Sequence, residues 1–290
     1  MSGQDASRGV VVVTGASTGI GEASARRLAI AGFTVFAGVR RQEDADRLTT
    51  PSLPRLKPII LDVTDPAALA AAVAAVTEAA GAGGLRGLVN NAGVSGGGPI
   101  ELADLDEVRR IFEVNVVGVI AVTQAFLPLL RLGHGRIAVT GSISGRMAVP
   151  FVAPYSASKA AVASICDALR TELRPWGIQV ALIEPGSIAT PLWEKGLTDF
   201  DARAAAYPEE GKRLYGPVMP ILRKKSEETA AAGISPDKVA QVVEHALTAA
   251  HPRTRYLVGS DARMQATVGK LPDRARDALL SRFMGINGVK

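Results

Sequence analysis

Tyr155 and Lys159 stand four residues apart in Pro154-Tyr155-Ser156-Ala157-Ser158-Lys159, a run that opens a helix, so both side chains share one helical face. A tyrosine hydroxyl titrates near ~10 and is a poor base at neutral pH. An ammonium one turn away favours the phenolate and is expected to draw that value down. Such a pair can pass a proton to or from a reacting oxygen. Ser142, just after an apolar run in Val139-Thr140-Gly141-Ser142-Ile143-Ser144-Gly145, offers a second hydroxyl. Asn115 sets a polar amide inside Phe112-Glu113-Val114-Asn115-Val116-Val117. Its plainer reading is a helix-bending residue bonded to backbone.

A second chemistry lies near the N-terminus. Val10 to Val13 run directly into Thr14-Gly15-Ala16-Ser17-Thr18-Gly19-Ile20-Gly21 and then a helical pattern. Glycines at a strand-to-helix turn let backbone approach a pyrophosphate, whose charge sits on the helix N-terminus. The spacing Gly15-x-x-x-Gly19-x-Gly21 differs from G-x-G-x-x-G, and a Gly-rich turn alone is also consistent with a plain tight turn. The next strand ends Ala37-Gly38-Val39-Arg40-Arg41, with Val39 where an NAD site usually carries an acid. Arg40 can bind a 2′-phosphate bidentately, so NADP is favoured, with NAD the alternative and solvated loop charges the plainer reading of both arginines.

These residues need elements to position them, and the sequence supplies an alternation. Apolar β-branched runs at about 9–14, 33–39, 55–61, 86–90, 135–140, 178–183 and 254–258 read as strands. Helical patterns lie between them at about 19–31, 43–49, 66–80, 105–131, 157–176 and 236–250. Strand, helix, strand repeated this way requires a parallel sheet with crossover helices, and the strands are apolar throughout, as for a sheet covered on both faces. Asp65-Pro66 and Ser235-Pro236 are N-cap signals, and Gly32 is a left-handed C-cap. No repeat or linker marks a boundary, so residues 1–290 read as one domain. Residues 191–235, rich in Lys, Glu, Ala and Pro, break the rhythm and are expected to form a substrate-binding insertion or lid. Residues 260–290 form a tail segment.

Composition narrows the class. Apolar residues make up 47 % of the chain and aromatics 4 %, which suits closely packed helices on a sheet. The net charge of +5 is carried entirely by residues 253–290, where eight Lys/Arg face three Asp, so no basic stripe suggests nucleic acid. The single cysteine, Cys166, excludes an internal disulfide, and the polar run after Met1 lacks a signal-peptide pattern. The apolar runs are too short to span a bilayer, and a cytoplasmic protein is expected. His134, His245 and His251 are scattered without ligand spacing, so no metal site is expected.

Taken together, Thr14–Gly21, Asp62-Val63, Asn90-Asn91-Ala92-Gly93, Asn115, Ser142, Tyr155-x-x-x-Lys159 and Pro185-Gly186 resemble the short-chain dehydrogenase/reductase family, over about residues 9–259. The resemblance implies a single-domain Rossmann-type, doubly wound parallel α/β sheet of seven strands, ordered 3-2-1-4-5-6-7, with helices on both faces. It implies homodimers or homotetramers built on the helices that carry Asn115 and Tyr155. By the same resemblance Tyr155 is the general acid/base and Ser142 holds the substrate oxygen. Lys159 lowers the tyrosine pKa and bonds the nicotinamide ribose, and Asn115 maintains a water linking Lys159 to solvent. Asp62 and Val63 contact adenine, Asn90 bonds near the adenosine ribose, and Ile188 and Thr190 hold the carboxamide. Gly15, Ser17, Thr18, Gly19, Ile20 and Gly21 with Ala92, Gly93, Pro185 and Gly186 complete the implied cofactor surface.

The substrate side is apolar: Ile143, Met147, Val149, Phe151, Val152, Ile188, Leu192 and Trp193, with Arg146 the one cation. Met147, Phe151, Val152 and Trp193, with Ser142 and Tyr155, are the expected substrate contacts. Ser235–Val239 and Pro252–Gly259 are similar to the retinol- and hydroxysteroid-dehydrogenase branch, which implies a bulky apolar alcohol or ketone; a carbonyl reductase of other preference in a similar shell is the competing reading. A dinucleotide sensor is a third, disfavoured because Asn115, Ser142, Tyr155 and Lys159 are all present. The basic apolar segment at 272–285 is expected to cover a pocket or an oligomer interface rather than to lie on a membrane.

Overall fold

The computed structural model describes residues 7–286, so the N-terminal run through Ala6 and the end of the tail, Asn287 to Lys290, lie outside the described residues. Within them a seven-stranded sheet has the order β3-β2-β1-β4-β5-β6-β7 expected from the family resemblance. Its strands are β1 (Val10–Val13), β2 (Thr34–Val39), β3 (Leu56–Ile60), β4 (Leu85–Asn90), β5 (Arg136–Thr140), β6 (Gln179–Pro185) and β7 (Arg255–Val258). Every neighbouring pair is parallel. All strands therefore end on one edge, and the reversal of order beside β1 opens a crevice there.

Crossover helices cover both faces. α1 (Gly19–Ile30), α2 (Gln42–Leu48) and α10 (Pro236–Thr248) lie on one side; α3 (Pro66–Ala80), α5 (Gly118–Leu132) and α6 (Ala153–Glu172) lie on the other. The pleat of β1 feeds both layers. Val11 and Val13 join Leu28, Val239 and Val243, while Val10 and Val12 join Val76, Phe126 and Val162. Asp65 caps α3, accepting from the Ala67 and Ala68 N–H groups at 2.8 and 3.3 Å. Ser235 caps α10 through the Asp237 N–H at 3.2 Å, and Gly32 takes φ +96° after α1.

Three features differ from the sequence expectations. The long helix expected over 105–131 is divided into α4 (Leu105–Phe112) and α5 by a π-helical turn, Glu113–Val117, which carries Asn115. Asn115 is tied there to Val94, a contact that no local periodicity reports. Residues 191–235 fold into α7 (Pro191–Ala206), α8 (Glu209–Tyr215) and α9 (Met219–Ala231), and the tail into α11 (Ser260–Val268) and α12 (Asp273–Met284). Finally, the helical stretches Pro66–Gly83 and Leu105–Leu132 are long and apolar enough to cross a membrane by length and composition, contrary to the expectation that no run is. The second turns Val122, Phe126 and Leu130 into the core beneath the sheet.

Cys166 on α6 is fully buried in the same layer, and burial pushes its thiol up to about 12. Phe126 is among the largest side chains with no exposure. Phe126→Ala should therefore cost about 3–5 kcal/mol, read as a lower midpoint in urea unfolding with an unchanged slope.

Candidate active site

The turn after β1 is held from the neighbouring strand ends. Thr14 is buried, and its hydroxyl accepts the Asn91 and Ala92 N–H groups, each at 3.0 Å. The Asn91 amide donates to the Thr14 and Gly15 carbonyls, both at 3.1 Å, and its oxygen accepts from the Thr140 hydroxyl at 3.2 Å. β1, β4 and β5 are thus stapled at the crevice. Gly15 takes φ +62°, and a Cβ on Gly21 would lie 2.1 Å from the Gly15 carbonyl oxygen, so only hydrogen fits. The Thr18 side chain makes no cap bond to α1, whose N-terminal amides face the turn. Gly19 packs against Thr190: a Cβ there would meet Thr190 Cγ2 at 2.9 Å, so the turn after β6 closes on the turn after β1.

The other expected cofactor residues divide. Arg40 is exposed at the end of β2, and among the described residues no ion pair engages it, whereas Arg41 is held by Asp44 at 3.2 Å. Asp62 lies after β3, its Oδ1 accepting from the Thr64 N–H and hydroxyl at 2.9 and 2.8 Å. The Val63 side chain is in the core against Gly118. The Asn90 side chain is buried and donates to the Thr123 hydroxyl at 2.9 Å, toward α5. The pleat turns Asn90 inward and leaves Asn91 for the turn. Pro185 ends β6 and Gly186 follows it, where Asp261 of α11 accepts the Ser187 N–H at 2.7 Å. Ile188 is buried and forms a bridge with Ile234, pinning the two ends of the insertion.

The residues expected to handle protons meet at the same edge. Ser142 follows β5 and caps the 3₁₀ turn Ile143–Gly145, its hydroxyl accepting the Ser144 N–H at 3.1 Å. Tyr155 lies in the first turn of α6. Lys159 is 5 % exposed; its ammonium donates to the Thr140 carbonyl at 2.9 Å and lies 5.8 Å from the Tyr155 ring centre. Burial pushes the Tyr155 hydroxyl above its ordinary range, and the Ser142 hydroxyl pulls the other way. Burial therefore outweighs the lowering expected from Lys159, whose own ammonium bonds the Thr140 carbonyl.

Asn115 is buried in the π turn and makes three bonds. Its oxygen accepts the Val94 N–H at 2.8 Å, and its amide donates to the Val94 carbonyl at 2.9 Å and the Ser158 hydroxyl at 3.0 Å. Ser158 donates to the Tyr155 carbonyl at 2.7 Å, so the loop after β4 is locked to the first turn of α6. A carbon added to Gly93 would sit 3.3 Å from Asn115 Oδ1 and 3.6 Å from Lys159 Nζ, which makes the amide and the ammonium neighbours.

Around this centre the surface is apolar. Met147 is buried. Phe151, at φ +66°, packs on the insertion cluster of Val218, Met219 and Leu222, and its carbonyl accepts the Gly98 N–H at 2.6 Å. A Cβ on Gly97 would meet Val152 at 3.0 Å, and the Trp193 indole donates to the Ile188 carbonyl at 3.0 Å. α7 is tied to α4 by Arg203 and Glu107 at 2.8 Å. Arg146, the one cation expected near this surface, is engaged by Glu184. Sequence reading gave Thr14 and Asn91 no role of their own, although both lie in the quoted motifs, and it missed Glu184 and Asp261, which carry no local signal.

Comparison with known proteins agrees with this geometry. A family model described as short chain dehydrogenase matches residues 9–199. The chain is 37 % identical over 280 residues to 17-beta-hydroxysteroid dehydrogenase type 6 of Bos taurus, covering 94 % of this chain and 87 % of that protein. It is 36 % identical over 274 residues to the NADPH-dependent 3-dehydrocapnine reductase of Ornithobacterium rhinotracheale, covering 92 % and 94 %. Retinol dehydrogenase 16 of Homo sapiens is 38 % identical over 259 residues, 88 % of this chain and 81 % of that one. Among solved structures, a short chain dehydrogenase from Burkholderia cenocepacia in complex with NADP superposes with a TM-score of 0.70 at 28 % identity, covering 95 % and 97 % of the two chains.

Burial lowers the Lys159 ammonium from its ordinary 10.5 to about 8. Between these values the unfolded chain holds a proton that the folded chain has released, so this group makes stability rise with pH there and leaves it flat below. Wild type should gain roughly 2 kcal/mol relative to Lys159→Met between about pH 7.5 and about pH 9.5 in urea unfolding. Parallel pH dependences of the two proteins would contradict this.

Proposed function

Since the chain belongs to the short-chain dehydrogenase family and is an NAD(P)-dependent oxidoreductase acting on CH–OH groups, we propose that it prefers NADP(H) and interconverts an apolar secondary alcohol and ketone of steroid or retinoid type. The observation that carries the reading is the meeting of Ser142, Tyr155 and the buried Lys159 on the strand-end edge, beside a turn whose Gly21 admits only hydrogen.

The residues fit a dinucleotide. The turn from Gly15 to Gly21 offers backbone to a pyrophosphate at the α1 N-terminus, and Asp62, Gly93, Gly186 and Thr190 border the same crevice. When bound, the nicotinamide supplies or accepts the hydride. In the reductive direction the Tyr155 hydroxyl gives its proton to the carbonyl oxygen, and burial, which keeps that proton on at neutral pH, suits the donor role. Ser142 donates a hydrogen bond to the same oxygen. Lys159, one turn along α6, stabilises the tyrosinate that remains, and Asn115 holds the adjoining loop beside it.

NADP preference is supported by Arg40, which is exposed at the end of β2 and, among the described residues, engaged in no ion pair, with Val39 in place of an acid. A relative named as NADPH-dependent agrees with this. The apolar substrate class is supported by Met147, Phe151, Val152 and Trp193, by the neutralisation of Arg146, and by relatives named for hydroxysteroids and retinol. The homodimer or homotetramer expected on this helical layer is supported by the exposed Val117 and Ile120.

Two experiments test the reading. Tyr155→Phe should lower turnover by at least ~10²-fold on a panel of steroids, retinoids and aliphatic ketones while NADPH binding, followed by its fluorescence, is retained. Undiminished turnover rejects the mechanism, and inactivity of wild type on every bulky apolar member rejects the substrate class. Arg40→Ala should weaken NADPH binding about 10-fold or more and leave NADH binding unchanged; tighter NADH binding by wild type rejects the cofactor preference.

A further inference from the structure

Glu184 stands one residue before the end of β6 and is 1 % exposed, so its charge must be met inside the protein. Arg146 meets it as a fork: Nε donates to Oε1 and Nη2 to Oε2, both at 2.6 Å. Arg255 of β7 adds a longer bond to Oε1 at 3.4 Å and reaches Asp167 of α6 at 2.7 Å. One buried carboxylate therefore joins β6 and β7 to the turn after β5 and, through Asp167, to the helix that bears Tyr155 and Lys159.

Arg146 is not an ordinary surface partner in this network, because it ends the turn that begins at Ser142. The Gly145 N–H donates to the Ser142 carbonyl at 3.0 Å, and the Arg146 N–H to the Ile143 carbonyl at 2.9 Å. The turn is also pressed on α6 at Lys159, since a Cβ on Gly145 would lie 2.8 Å from the Lys159 carbonyl carbon. With the turn closed by its own hydrogen bonds, a shift of Arg146 is a shift of Ser142. Buried ion pairs give little stability over apolar packing of the same volume, whereas a bidentate fork fixes distance and orientation together.

We propose that Glu184 and Arg146 are positioning residues, which set the Ser142 hydroxyl opposite Tyr155 by clamping the turn that carries it. The proposal rests on the reading that Ser142 bonds the substrate oxygen. Removing the arginine outright strands a buried carboxylate and endangers folding, so the variants are Arg146→Lys, which keeps the charge without the fork, and Glu184→Gln, which keeps the shape without the charge. Each is made in wild type and in Ser142→Ala, with melting temperature and NADPH binding measured to establish a folded, cofactor-competent protein.

In wild type each change should lower kcat between about 10- and 100-fold, with KM and NADPH affinity changed less than about 2-fold. In Ser142→Ala neither change should lower kcat further, because the group being positioned is already gone. Two results overturn the positioning role alone: wild-type kcat in both single variants, or losses that multiply with that of Ser142→Ala. Full activity of Ser142→Ala overturns the catalytic reading of Ser142 and this proposal with it.

Discussion

Thr140, the last residue of β5, looks in two directions, and the site hangs on that. Its hydroxyl reaches Asn91, which holds the backbone of the phosphate turn; its carbonyl receives the Lys159 ammonium. A single strand end thus links the glycine-rich turn after β1 to the Tyr155–Lys159 pair on α6. The ammonium sits in a position that burial disfavours, and without a carbonyl at hydrogen-bond distance it would be an uncompensated buried charge. The parallel sheet makes this arrangement available, because it delivers the ends of β1, β4 and β5 to one edge in register.

Much of this was legible because the signals were local or periodic. The alternation of strand and helix, the caps at Asp65 and Ser235, and the four-residue spacing of Tyr155 and Lys159 all depend on neighbours within a turn or two. The rest depended on contacts that form only in the fold. Which member of Asn90-Asn91 serves the crevice is decided by the pleat of β4, and the doublet alone carries no phase. The π turn at Asn115 answers to Val94, 21 residues away, and the pairing of Arg146 with Glu184 spans 38 residues. Spacing along a helix likewise told where the lysine lay, not how strongly burial would raise the tyrosine.

The insertion is built differently from the rest. Its small cluster, Val218, Met219 and Leu222, does not join the two layers that sandwich the sheet; it closes on Phe200, Tyr207 and Phe151, the last lying in sequence between Ser142 and the insertion. Phe151 is held at a left-handed φ that costs about 1–3 kcal/mol, and the Gly98 amide and the cluster hold it there. The segment between Ser142 and Tyr155 is therefore shaped from two sides: by the charge network behind it and by the apolar insertion in front. The Tyr155–Lys159 spacing could be read from a few residues, while the packing of the insertion against Phe151 needed the fold.

Cys166 carries the one thiol in the chain, sealed beneath the sheet and held protonated far above neutral pH. For spectroscopy this makes the wild-type chain a silent background. A cysteine introduced on the exposed side of α7 or α12 would be the sole site to take a maleimide dye or a spin label, with no need to delete the native one. Distances between insertion and tail could then be followed in a protein whose interior is left as it folds.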